Sequence, residues 1–154
     1  MSTLPTNSGA FFEDFELGQK GITAGRTITE SDITAFAGLS GDFNAIHTDA
    51  EFAKNTPFGQ RVAHGLLSLS IASGLAVQTG VLGANVIAFR EVNEWKFIKP
   101  VFIGDTIKVE LEVVELKHLP RMHAGSVVLS ATLLNQDNEI TMKGRWTVLA
   151  KTRI

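Results

Sequence analysis

An α+β fold is what this sequence predicts, on three observations. An apolar segment of helical length runs from His64 to Thr79, four β-rich runs follow it in succession, and a long connection dense in turn formers precedes it. One apolar helix followed by consecutive antiparallel strands is expected to pack with the sheet wrapped around the helix.

The elements follow in chain order. Residues 1–10 carry Ser, Thr, Asn, Pro and Gly without periodicity and are expected to fray or lie along the surface. Thr23 to Ile28 is short and β-compatible. Thr29, followed by Glu30 and Asp32, has the form of a helix start with acidic residues in the first turn, and the helix through Ile33, Phe36 and Ala37 should end near Gly38 or Gly41. The segment LSGDFNAIHTDAEFAKNTPFGQRVAHG is long for a connection in a compact domain, and such connections are often functional. Ala50 to Lys54 adds one helical turn, which Asn55-Thr56-Pro57 should end.

In the long helix, Leu66, Leu67, Leu69, Ile71, Leu75, Ala76 and Val77 surround the axis, which predicts burial on most faces. Ser68, Ala72, Ser73 and Gly74 are small enough for other backbone to approach. Strands are expected over Val86–Phe97, Asp105–Leu116, Gly125–Asn135 and Ile140–Leu149. Ile107, Val109, Leu111 and Val113 alternate with polar residues, as one buried face requires, and a phase shift to Val114 and Leu116 predicts a bulge. Asn135-Gln-Asp-Asn138 reads as a hairpin loop.

Composition narrows the function classes. With 154 residues, 44% hydrophobic and 19% charged, the chain is expected to form one folded, soluble domain over residues 1–154. A net charge of −2 without a basic cluster disfavours a nucleic-acid partner. The absence of cysteine removes thiolate nucleophiles and cysteine metal ligands, leaving carboxylate, imidazole and hydroxyl chemistry. No secretory signal is visible at the N-terminus, so a cytoplasmic location is expected. Gly65 to Val81 is broken by Ser68, Ser70, Ser73, Gly74, Gln78 and Thr79, which speaks against a membrane span. No His-Glu-x-x-His or compact carboxylate cluster points to a metal.

The run FAGLSGDFNAIHTDAEFA contains Gly41-Asp42-Phe43-Asn44-Ala45-Ile46-His47. This Gly-Asp-x-Asn-x-x-His pattern closely resembles the signature of the MaoC-like, (R)-specific enoyl-CoA hydratase family, hydratase 2. RVAHGLLSLSIASGL, from Arg61 to Leu75, resembles the start of that family's central helix, and FIKPVFIGDTIKVELEV resembles its following strand region. The chain departs from the family at Ala45, where proline is usual, a change that removes no reacting group.

The resemblance implies a hot-dog fold: an antiparallel sheet wrapped around a long central helix, with an overhanging catalytic loop segment. It implies a lyase of fatty acid metabolism that adds water reversibly, in syn fashion, to a trans-2-enoyl-CoA thioester. Asp42 and His47 would bind and activate the water and return a proton to C2. Gly65 would offer its backbone N–H to the thioester oxygen at the start of the helix, Asn44 would support the loop, and Ser73 would hydrogen-bond the catalytic carboxylate. No cofactor or metal is implied; the CoA thioester is the substrate and a homodimer the working unit.

Other residues receive plainer readings. His64 is read as structural at the helix entrance, since Gly-Leu-Leu-Ser does not form a serine-hydrolase elbow. His118 and His123 are expected in a strand connection, and Asp49 and Glu51 at a helix start. Phe43, Leu66, Leu69 and Phe89 are candidates for the end of an acyl tunnel; Arg90, Lys96 and Lys99 are left outside the site. The alternatives are a dehydratase acting on acyl carrier protein with the same two residues, a hot-dog thioesterase, or a non-catalytic acyl-CoA-binding subunit.

Overall fold

The computed structural model describes residues 2–6 and 9–153. The elements are β1 (Lys20–Ile22), β2 (Arg26–Thr27), α1 (Glu30–Ser40), α2 (Ala45–Thr48), α3 (Ala50–Lys54), α4 (Gly65–Gln78), β3 (Val86–Phe97), β4 (Thr106–Leu119), β5 (Ala124–Leu134) and β6 (Ile140–Lys151). The strands pair antiparallel in the order β1-β4-β5-β6-β3, with β2 also on β4. This sheet closes on α4 in the hot-dog arrangement.

Local chemistry accounts for the helix boundaries. At the start of α1, the Thr29 hydroxyl accepts from the Asp32 amide at 3.2 Å while the Asp32 carboxylate accepts from the Thr29 amide at 2.8 Å. The helix stops at Gly41, whose φ of 78° suits a residue without a Cβ. The connection after it contains the expected turn Ala50–Lys54 as α3 and, ahead of it, a further short helix, α2, each begun by a capping side chain: Asn44 Oδ1 accepts from the Ile46 amide at 3.2 Å, and Asp49 Oδ1 from the Phe52 amide at 2.9 Å.

The core lies between α4 and the inner sheet face. Leu67, Ala72, Leu75 and Ala76 of α4 belong to the same cluster as Ile107, Val109, Leu111, Val113, Leu129, Leu133, Trp146 and Val148. In β4 the register shifts between Val113 and Glu115; Leu116 then packs on the core, while Val114 is exposed. Asn135 organises the β5–β6 hairpin, its Oδ1 accepting from the amides of Asp137 and Glu139, each at 3.0 Å. β3 is interrupted three times by register shifts. Opposite one of them, a side chain on Gly144 would lie 2.9 Å from the Asn93 carbonyl, which is why glycine stands there.

Two expectations are corrected. Where frayed or surface-lying chain is expected, Leu4 is buried and its amide donates to the Lys20 carbonyl at 3.0 Å, and Ala10 is buried in the core. Met1, Asn7 and Ser8 lie outside the described residues. Nor is α4 buried on most faces. Leu66, Ser70, Gly74 and Val77 form an exposed stripe, because the sheet covers one side of the helix and little from the same chain covers the other.

Candidate active site

Two turns of main chain bring the site together. The Val62 amide donates to the Ile46 carbonyl at 3.1 Å, and the Val62 carbonyl accepts from His47 Nδ1 at 2.7 Å. The segment before α4 is thereby fastened to α2 through both the N–H and the C=O of one residue. On its other flank, Val62 bridges to Phe102 and the Ala63 amide donates to the Val101 carbonyl at 2.8 Å. Arg61 makes a bidentate pair with Glu30 at the start of α1, one of its hydrogen bonds measuring 2.9 Å. That contact, with Arg61 as the hydrogen-bond donor, holds the Glu30 carboxyl below its usual range.

A carbonyl oxygen only accepts, so His47 carries its proton on Nδ1 and leaves Nε2 as an acceptor. His47 is buried, with Nε2 lying 3.9 Å from Asp42 Oδ2. That separation is too long for a direct hydrogen bond and suits a water touching both. The Asp42 carboxylate, about half exposed, is oriented through Oδ1, which accepts from the Asn44 amide at 3.1 Å; the Asp42 amide donates to Ser40 Oγ at 3.1 Å.

His47 and Gly65 line one cavity of about 430 Å³, walled by Phe58, Leu66, Phe97, Ile98 and Met142. Gly65 is the first residue of α4, and no side chain caps that end, so its amide points from the positive end of the helix without competition from a cap. A Cβ on Gly65 would stand 2.5 Å from Phe97 Cε1, so the ring of β3 lies directly over the helix entrance. Together the groups provide two acceptors for a water, an apolar slot and a backbone donor at the slot's root, the requirements for adding water next to a polarised carbonyl.

The sequence-derived residues are thus partly assembled. Asp42, His47 and Gly65 converge, and Asn44 shapes the turn between the first two. Ser73 is not brought to them: it sits roughly two turns beyond Gly65 along α4, and its hydroxyl donates to the Ser70 carbonyl at 2.7 Å in place of the carboxylate bond expected of it. Of the tunnel candidates, Leu66 reaches this cavity; Phe43 is exposed outside it. Phe97 and His64 belong to the site but were not singled out for it from sequence. His64 stands in the Arg61–Leu75 run, where the sequence reads it as structural; nothing in the periodicity of β3 marks Phe97.

The ligand atoms of Asp42, His47 and His64 fall within 4.8 Å of one another. Metal bonds lie in the imidazole plane, whereas the His47 and His64 rings are stacked, centroids 3.9 Å apart and planes 28° apart. A shared ion would leave the plane of at least one ring, so the cluster suits proton handling better than coordination. No helix among the described residues is long and apolar enough to cross a membrane.

Comparison with known proteins establishes the family and the fold. Protein MaoC of Klebsiella aerogenes is 45% identical over 101 residues, 66% of this chain but only 30% of that longer protein. The (R)-specific enoyl-CoA hydratase of Rhodospirillum rubrum is 35% identical over 143 residues, 93% of either chain. Among solved structures, the monoamine oxidase regulatory protein of Archaeoglobus superposes with a TM-score of 0.87 at 39% identity, covering 94% of this chain and 96% of that one. A Mycobacterium tuberculosis protein described as a double hot-dog fold shares the fold at a TM-score of 0.81 and 20% identity, over 95% of this chain and 45% of its own. The MaoC like domain matches residues 14–133, and on that match the chain belongs to the MaoC-like domain family, whose hydratases and dehydratases are lyases.

Proposed function

We propose that the chain is an (R)-specific enoyl-CoA hydratase, adding water reversibly to a trans-2-enoyl-CoA thioester. The observation that carries this reading is the 3.9 Å gap between Asp42 Oδ2 and His47 Nε2, beside a cavity that opens on the uncapped start of α4. A water held by both groups attacks C3. Its proton passes to one of them and from there to C2 on the same face, so that one water supplies both atoms and the addition is syn. Charge growing on the thioester oxygen meets the Gly65 amide. Asn44 holds the turn, and the reaction needs no cofactor.

A homodimer is the working unit. This is supported by the exposed apolar stripe of Leu66 and Val77 on α4 and by the free edge of β3, where Ile87, Phe89 and Val92 are also exposed.

The test is to add the purified protein to crotonyl-CoA and to a longer trans-2-enoyl-CoA, follow the loss of enoyl-thioester absorbance, and resolve the product by chirality. An (R)-3-hydroxyacyl-CoA product supports the reading. Release of free CoA would replace it with thioester hydrolysis; turnover only with an acyl-carrier-protein substrate would change the carrier. No reaction with any of these would leave a binding subunit.

A further inference from the structure

His64 is 2% exposed and sits at the root of α4 with its Nε2 3.0 Å from the main-chain carbonyl of Asp42. Because the carbonyl only accepts, Nε2 holds the proton, the opposite arrangement to His47. Nδ1 is then a buried acceptor with no partner among the described residues. The His64 ring stacks on His47 at 3.9 Å and meets Phe36 of α1 at 5.0 Å, tilted by 58°. Packing alone would favour a residue without an orphaned acceptor, since an unpaired buried polar atom is destabilising. An imidazole at this place is better accounted for by what its other nitrogen and its face do.

We propose that His64 is a positioning residue for the Asp42–His47 pair, an assignment that rests on reading that pair as the water-handling groups. Its Nε2–H grips the peptide carrying Asp42, and its face supports the His47 ring. Its own backbone leads directly into Gly65. One rigid side chain thereby sets the distances among carboxylate, imidazole and helix entrance. The titratable groups that face it are Asp42 from the connection and His47 from α2; α1 packs against it with the uncharged ring of Phe36.

Two variants separate the contributions. His64→Phe keeps a ring and removes the donor; His64→Gln restores a donor at the reach of Nε2. We expect His64→Phe to lower kcat about tenfold to a hundredfold, the effect of a small misplacement of reacting groups, with KM within about twofold. His64→Gln should recover most of that loss.

A readout independent of activity is NMR of the protein labelled with ¹⁵N. His64 should be protonated on Nε2 and His47 on Nδ1. The Asp42 amide resonance should move in His64→Phe and return toward wild type in His64→Gln, whereas the His47 ring resonances should move in His64→Gln, which lacks the stacked ring. A wild-type His64 protonated on Nδ1 alone, unmoved resonances, or a folded His64→Phe with undiminished kcat would each overturn the proposal, as would equal impairment of the two variants. If the wild-type protein hydrates no enoyl thioester, the proposed function falls, and the NMR comparison decides the positioning role separately.

Discussion

His47 Nδ1 donates to the carbonyl of Val62 at 2.7 Å, and this single bond decides which nitrogen of the imidazole faces Asp42. It links a four-residue helix to the strap before α4, so the active tautomer depends on two segments that are separate in sequence.

Removing either reacting group should abolish catalysis without unfolding the chain. Asp42→Asn and His47→Gln are each expected to lower the hydration rate at least about a hundredfold. The Asp42 side chain is half exposed, so circular dichroism and the melting temperature of that variant should match wild type. Near-normal turnover in both folded variants would refute the assignment.

Gly65 and Phe97 should be coupled in stability. In Gly65→Ala the new methyl meets the Phe97 ring, an overpacking expected to cost about 1–3 kcal/mol. Phe97→Ala in the same chain should return part of that loss, giving a double-mutant cycle with clear non-additivity in urea unfolding. Strictly additive effects would mean the ring moves aside freely.

Phe97 also walls the cavity next to His47. Its truncation should raise kcat/KM for an octenoyl thioester relative to crotonyl, because the slot lengthens while Asp42 and His47 stay in place. An unchanged ratio would assign chain-length selection to other walls.

Acid should loosen the strap before α4. The Arg61 hydrogen bonds hold the Glu30 carboxyl below its ordinary value of 4.5. A lowered carboxylate pKa contributes stability that is present above the unfolded value and is lost as pH falls through the folded one. Between about pH 5 and pH 3, wild type should therefore lose more stability than Glu30→Gln. The difference should be small and should shrink with salt, since more than half of the Glu30 side chain is exposed. Parallel acid dependence of the two urea midpoints would show that the pair adds nothing to folding.

Val77→Arg and Ile87→Arg each place a charge on exposed apolar surface, on α4 and on the β3 edge. The charge should be tolerated by the isolated fold but not by a shared interface. Light scattering is expected to report twice the chain mass for wild type and the single-chain mass for the variants. Unchanged mass in both would place the interface elsewhere.

Much of the fold is legible in the sequence because it rests on local chemistry. The Thr29–Asp32 capping box, the Asp49 cap, the Val109–Leu111–Val113 alternation, the bulge that follows it and the Asn135 hairpin all arise among residues a few positions apart. The Gly-Asp-x-Asn-x-x-His spacing likewise marks Asp42, Asn44 and His47. Tertiary structure alone decided that the Val62 carbonyl would set the His47 tautomer and that His64 would stack beneath it. The same holds for Phe97 closing over Gly65, for Ser73 bonding within its own helix, for one stripe of α4 remaining open and for Leu4 being buried. Each of these depends on where separate segments meet in the packed core, and neither helical nor strand periodicity carries that distance information.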